Sequence, residues 1–503
     1  MMKKLNLKYI TLFIAAIAVV SCDPELENPI DEAGFYTSGE ADFSKYVSIG
    51  NSLTSGFADG ALYLDAQEKS FPAIIAGQMA LAGGGEFNQP LVNDNAGGLL
   101  AAGVQITPNR FVLAVGADGS PGPAVYTGQA PTTDITNNVA GNLNNFGVPG
   151  AKSFHLGAPG YGNIAGVAVG AANPYYVRFA SEPNATVIGD AATANPTFFT
   201  LWIGNNDILS FATSGGIGVD QTGNLNPSTY GSNDITDPNV FASVVNDYVT
   251  ALTANGAKGA LINIPDVTSI PFFTTVPSNA IPLDAATAGL VMSNPQIAGY
   301  NAGLQQAAGA GFISAAEASQ RTINFTAGQN FMLMEDEDLT DLSALGLPNL
   351  RQTNASDLIT FTSATVIGTQ ADPANPLSII GVAVPLGDGN VLTATEQAAI
   401  TAAQTAYNTT LEGLAAANNL AFVDARTALA QVASTGVGYN GGTLTSTYAS
   451  GGGFSLDGVH PTPRGYAFTA NVIIDAINEQ YGSTLPRVDI GAYRSIQTSN
   501  EVN

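Results

Sequence analysis

Two hydrophobic rhythms alternate along the chain. Short, almost unbroken apolar runs that close on Gly, Asn or Asp read as buried strands delivering a loop at their C-terminal end: Lys45 to Ile49 before the corner "GNS", "NPTFFTLWIGNND" (195–207), "ALINI" (260–264) and "LAFVDA" (420–425). Between them, apolar residues recur at helical spacing. "SFPAIIAGQMALA" (70–82) is one such helix, and "FASVVNDYVTALTANG" is another, stopped by the turn Gly256-Ala257-Lys258. A long Ala-rich helix follows Thr393 and Glu396, which have capping-box spacing, and the last helix runs from about Arg464 to Tyr481. Strands alternating with helices predict an α/β fold with three α/β/α layers around a mostly parallel sheet.

The same pattern divides the chain. A domain over 44–483 carries these elements, interrupted by a Gly-, Asn- and Pro-rich stretch at about 83–141 that reads as loops, and by a mixed stretch at about 272–392. Within the second stretch, the apolar segment "PLSIIGVAVPL" (376–386) fits a lid or acyl-chain wall, or a strand buried in an accessory layer. Residues 484–503 read as a polar tail. No internal repeat is visible.

The first 21 residues have the form of a secretion signal, with Lys3, Lys4 and Lys8 leading into the apolar run Tyr9 to Val20, which is short for a membrane span. Val19-Val20-Ser21-Cys22 resembles a bacterial lipobox, with Cys22 as the lipidation site. Cys22 is the single cysteine of the sequence, so no intrachain disulfide forms. The acidic segment behind it, through residue 43, is expected to be a solvated tether. These features predict an extracytoplasmic protein held by a lipid anchor to a bacterial membrane, the outer membrane being the expected one, on its periplasmic or surface face.

With 45% hydrophobic and 11% charged residues in 503, the chain has ample material for a large core. Three of the 15 basic residues lie in the leader, which leaves 12 against 40 acidic ones and a formal charge of −28 after its removal. Such an excess disfavours nucleic acid and anionic lipid surfaces as electrostatic partners, and no nucleic acid is expected.

Candidate chemistry is limited by histidine, of which there are two, His155 and His460. His460 lies in "LDGVHPTPRGY", where Asp457 stands three residues before it at the opening of the last helix. That spacing lets the carboxylate hold one imidazole nitrogen while the other faces a nucleophile; the same Asp also suits a plain turn cap. Ser52, on the corner "YVSIGNSLTSG", is either the nucleophile or the cap of the next helix.

Four stretches, "GNSL" (50–53), "NFGVPGA" (145–151), "GNND" (204–207) and "DGVHP" (457–461), resemble in order and character the motifs of the SGNH hydrolases, also called GDSL esterases and lipases. The resemblance implies Ser52 as nucleophile, His460 as general base and then acid, and Asp457 as the carboxylate orienting it. It implies an oxyanion hole from the backbone N–H of Ser52, the backbone N–H of Gly150 and the side-chain amide of Asn206. No cofactor and no metal is required by that chemistry. One residue departs from the pattern: Asn51 stands where the family has Asp.

The remaining candidates read as supporting residues. His155 either lines the site mouth or sits in a surface loop. Asp207 is expected to fix the loop that presents Asn206, Asp424 to cap the next helix, and Trp202 to lie in the core. The acidic cluster "EDEDLTD" (335–341) has the residue type for calcium but lacks the Gly-punctuated alternation of an EF-hand loop, and reads better as a solvated face. The substrate classes implied are acyl esters of lipids, favoured by the apolar segment 376–386, and O-acyl groups of carbohydrates. The competing reading is a non-catalytic lipoprotein that holds an apolar ligand and hands it on, for example to an outer-membrane protein.

Overall fold

The computed structural model describes residues 34–116 and 119–499. The leader, Cys22 and the start of the tether lie outside the described residues. No helix among those described is long and apolar enough to cross a membrane.

The apolar runs form one parallel sheet. Its strands are β1 (Tyr46–Gly50), β2 (Asn145–Gly147), β3 (Phe198–Trp202), β4 (Lys258–Ile262) and β5 (Ala421–Val423), in the spatial order β2-β1-β3-β4-β5. Every residue of β1 and of β3 is buried, because both faces of the sheet are covered. Side chains alternate between two cores. Val47, Ile49, Phe199 and Leu201 point into one; Tyr46, Phe198, Trp202 and Ile262 point into the other. A buried polar relay crosses the middle, where Thr200 Oγ1 lies 2.8 Å from both the Tyr46 hydroxyl and Ser48 Oγ.

Helices cover each face. On the first lie α3 (Asn206–Thr213), α4 (Pro238–Thr253) and α6 (Ala394–Ala417); on the second lie α2 (Phe71–Ala80) and α8 (Pro463–Tyr481). Their ends follow the local chemistry. Ser70 Oγ caps α2, and Asp237 caps α4 with Pro238 at its first position. Thr393 and Glu396 close the capping box of α6, with Thr393 N–H donating to Glu396 Oε2 at 2.6 Å. Helix α8 begins at Pro463 behind a Thr462 cap and stops at Gly482 in the left-handed region. It buries Tyr466, Ile473, Ile474 and Ile477, each large apolar side chain contributing roughly 1.5–3 kcal/mol.

The arrangement is therefore the three-layer, mostly parallel α/β fold. In this strand order the sequence of connections reverses between β1 and β3, and the crevice at that point is where open α/β sheets bind ligands. Gly50 pairs in register with Gly147 on one side and with Trp202 on the other. Three loops thus leave the sheet side by side.

Four expectations need correction. The 83–141 stretch is not all loop: it folds the hairpin Phe111–Val115 with Pro121–Val125 and the small sheet of Leu99–Ala101, Val104–Gln105 and Thr133–Asp134, and it buries Leu99 and Ile135. The tether docks before its expected end, since Phe43 is 1% exposed and stacks edge-on with Phe198, while Ala41 is also buried. The end of the chain is not a solvated polar tail: Leu485 and Ile490 are buried, and Arg494 bridges Asp65 and Tyr63. Segment 376–386 is buried in an accessory layer, as one of its two readings had it, but as turns and not as a regular strand, and it forms no lid. It turns on itself through the bridge Ile380–Val384 and buries Val382 and Leu386 in a separate accessory core with Leu304, Met332 and Ile359.

That accessory core makes 272–392 a unit of its own, with helices Ala285–Met292, α5 (Pro295–Gly309) and Ala315–Arg321 beside small two-stranded sheets. The acidic cluster is split within it. Glu335, Glu337 and Asp338 are exposed, but Asp336 is 4% exposed and paired with Arg351, which also binds Asp357. The guanidinium is what lets Asp336 leave the solvated face.

Candidate active site

The first of the three loops makes the corner at Asn51. Gly50 is required there by close approach, since a Cβ would collide with Thr54 Oγ1 and the Trp202 carbonyl. Asn51, fully buried, is the residue that caps: its Oδ1 accepts the Leu53 N–H at 3.1 Å, and its Nδ2 donates to Asn205 Oδ1 at 3.2 Å. Ser52 is the first residue of the short helix α1 (Ser52–Ser55), so the cap role falls to its neighbour. An amide serves both bonds at once, accepting through oxygen and donating through nitrogen; a carboxylate would do only the first.

Ser52 and His460 stand 408 residues apart, yet Ser52 Oγ lies 2.8 Å from His460 Nε2. On the other side of the ring, Nδ1 is 2.9 Å from Asp457 Oδ2. The structure thus brings Ser52, His460 and Asp457 into one hydrogen-bonded line. Asp457 is held by more than the imidazole. Its Oδ2 also accepts the Gly60 N–H at 2.9 Å, while Oδ1 accepts the N–H groups of Val459 and His460 and the Ser455 hydroxyl. Burial pushes this carboxyl up, but the His460 charge and these donors outweigh it and hold it at about 2. It is therefore an anion at any pH where the protein works.

The second and third loops come from β2 and β3. Val148 N–H donates to the Gly50 carbonyl at 3.0 Å, so the 148–153 loop starts beside the corner. Gly150, exposed and at φ +79°, adopts the left-handed conformation that favours glycine, with open space where a Cβ would stand. Asn173 Nδ2 braces the turn through the Pro149 carbonyl at 2.8 Å. Asn206 opens α3 and donates its amide to the Ala151 carbonyl at 2.9 Å, which fixes the side-chain plane and leaves a second amide hydrogen. Asp207, fully buried, accepts the Ser153 N–H at 2.8 Å and its hydroxyl at 2.6 Å, tying the two loops together. The backbone N–H groups of Ser52 and Gly150 make no bond to other described residues.

His155 is elsewhere in function. It lies half-buried in the turn Ser153–Gly157, stacks on Tyr161 and accepts the Lys152 N–H through Nδ1 at 3.1 Å. Asp424 caps the helix α7 (Ala425–Ser434), accepting the Thr427 N–H. Trp202 is core, 4% exposed, with its indole N–H on the Asn263 carbonyl.

Two features had no signal in the sequence. One is the segment Phe57 to Gly60 beneath the acid. Asp59, 2% exposed, accepts the Leu456 N–H and the Tyr63 hydroxyl, and donates its own N–H to Ser455 Oγ. Phe57 packs its ring 4.7 Å from His460. The other is a cleft of about 940 Å³, open solvent included, that begins at Ser52 and His460 and runs past the ends of β4 and β5 between α7 and α8. Its walls are apolar: Leu53, Ile262, Val423, Leu429, Val432, Phe468 and Val472. Only the helical spacing of α7 and α8 could have pointed to it, and that spacing does not tell a pocket wall from a core.

No protein-family model and no curated protein matches the chain. Solved structures that it resembles include an acetylxylan esterase from Geobacillus stearothermophilus, at 10% identity and a TM-score of 0.31, covering 87% of this chain and 96% of that one. Another is an extracellular lipase from Streptomyces rimosus, at 12% identity and a TM-score of 0.30, covering 86% and 98%. Likeness at this level carries no argument about chemistry, which rests on the geometry of the three loops.

Proposed function

We propose that this chain is a serine ester hydrolase of the SGNH type that cleaves esters with an apolar acyl group. The observation that carries the reading is the line Ser52–His460–Asp457 at the mouth of an apolar cleft. Ser52 Oγ attacks the ester carbonyl while His460 Nε2 takes its proton, and Asp457 steadies the imidazolium that forms. The oxyanion of the tetrahedral intermediate is received by the N–H groups of Ser52 and Gly150 and by the free amide hydrogen of Asn206. His460 returns the proton to the leaving alcohol, and water then releases the acyl group from Ser52 by the same steps in reverse order.

The cleft supports a fatty-acyl ester over an O-acetylated sugar, because its walls bury methylenes and offer few polar groups for hydroxyls. The support therefore comes from α7 and α8, and not from segment 376–386. The proposal also keeps the enzyme on a bacterial membrane, outside the cytoplasm, through a lipid on Cys22.

The test is hydrolysis of p-nitrophenyl esters from acetate to long acyl chains by the full chain and by Ser52→Ala. The expected result is a loss of up to roughly 10⁶-fold in the variant, with the intact enzyme preferring the longer chains. Equal, negligible rates in two well-folded proteins, together with retention of a long-chain fatty acid, would replace the enzyme by a carrier of apolar ligands.

A further inference from the structure

We infer that Glu337, Asp388 and Glu396 form a binding site for a hard divalent cation of the calcium kind, which clamps the accessory unit to α6. The three residues come from three separate segments: the acidic loop of the accessory unit, the turn Asp388–Asn390 and the first turn of α6. One carboxylate oxygen of each lies within 4.8 Å of the others. Calcium binds oxygen at about 2.3–2.6 Å, so two ligands on opposite sides of one ion stand up to about 5 Å apart.

The second observation is on Glu396 itself. It is 7% exposed, and its two oxygens differ in fate. Oε2 is used by the capping box, accepting the Thr393 N–H, whereas Oε1 is buried without a hydrogen-bond partner. No ion pair among the described residues neutralises any of the three carboxylates. Arg351, in the same hairpin as the acidic loop, is committed to Asp336 and Asp357. Three negative groups are thus drawn together, one of them out of water, with nothing positive between them.

The packing around the cluster says what a cation would join. Gly216, just beyond α3, lies so close that a Cβ there would overlap the Glu396 carboxylate, and a Cβ on Gly215 would overlap Gly389. The turn that follows the helix starting with Asn206 therefore lies against the cluster. A cation bound by one ligand from α6 and two from the accessory unit ties that unit to the central layers without taking part in ester chemistry. Waters or backbone carbonyls would complete the six to eight oxygens that calcium takes.

The experiment is calorimetric titration of the chelator-treated full-length protein with calcium chloride alone, with thermal melting in parallel and magnesium chloride at equal ionic strength as control. We expect one site per chain and a melting temperature that climbs with the logarithm of calcium concentration. Glu396→Gln keeps the capping box, because glutamine serves there equally, yet it puts an amide where the orphan oxygen stands. It should melt no lower than the metal-free wild type and lose calcium affinity at least tenfold; Asp388→Asn, in a half-exposed turn, should do the same. Ser52→Ala should bind calcium like wild type, which separates this site from the proposed hydrolase. Absence of calcium heat at millimolar concentration would overturn the inference in favour of a proton shared among the carboxyls. An equal calcium response of wild type and both variants would overturn it in favour of charge screening over an acidic surface.

Discussion

Ala428→Phe is the sharpest probe of the apolar cleft. Ala428 lies on α7 and lines the cleft among Leu429, Val432 and Phe468, where its small side chain leaves room that a phenyl ring would take. A ring of that size displaces about three to four methylenes of an acyl chain. Each methylene buried is worth about 0.8 kcal/mol, so a long-chain ester loses roughly 2.4–3.2 kcal/mol of binding energy. At 1.4 kcal/mol per tenfold, that is a drop in kcat/KM of about 50- to 200-fold. An acetyl ester has no methylenes to lose and should stay within about threefold. The assay is kcat/KM across p-nitrophenyl acetate, butyrate, octanoate and palmitate for both proteins, with melting temperatures to show that the variant is folded. A parallel fall for all four esters would mean that the introduced ring disturbs Ser52 or His460 and not the acyl path. No change with octanoate and palmitate would refute the assignment of the cleft to the acyl chain.

Two further outcomes follow from the same geometry. Asp457→Asn replaces a carboxylate that accepts from the His460 ring and several other donors by an amide with one accepting oxygen, so the imidazole loses its tautomer; kcat should fall about 10⁴-fold in stopped assays while KM moves little, and an unchanged kcat would remove Asp457 from the mechanism. Burial, with the nearby Lys152 charge, lowers His155 to about 4 from an ordinary 6.5, so folding favours its neutral form, and its contribution is complete above pH 6.5 and lost as pH falls toward 4. The loss is at most about 3 kcal/mol. Denaturant titrations of wild type and His155→Gln at pH 4.5 and 7.5 should show the smaller decline in the variant, and equal declines would refute the shift. The raised Asp388 and Glu396 carboxyls act in the opposite direction in both proteins and cancel in the comparison.

What was legible in the sequence is what depends on local rules. Period was enough to find β1, β3 and the helices α2, α4, α6 and α8, and the Thr393–Glu396 box marked the start of α6, while the caps Ser70, Asp237 and Thr462 of the other three came only with the structure, so that α4 begins at Pro238, ahead of the apolar run that revealed it. Ser52, Asp457 and His460 could be named as candidates from a corner and a spacing, whereas Gly150 and Asn206 were named only through the resemblance of four short stretches to a known family. The surroundings of the site were illegible where they depend on residues hundreds of positions apart. Asp59 holds Leu456, Gly60 holds Asp457, and Arg494 reaches back to Asp65, and nothing in the local pattern of any of these residues marks its partner. The apolar cleft shows the same limit in its clearest form. Leu429 and Val432 on α7 have the spacing of any amphipathic helix facing a core. Whether such a face closes on its neighbour or stands off from it depends on partners far along the chain, here Ile262 and Val423 at the sheet and Leu444 and Phe454 between the two helices in sequence, all of which line the gap. The apolar segment at 376–386 left two readings open for the converse reason: its composition fits a wall of the site as well as an accessory layer, and the core that decides for the accessory layer is built with residues as distant as Leu304.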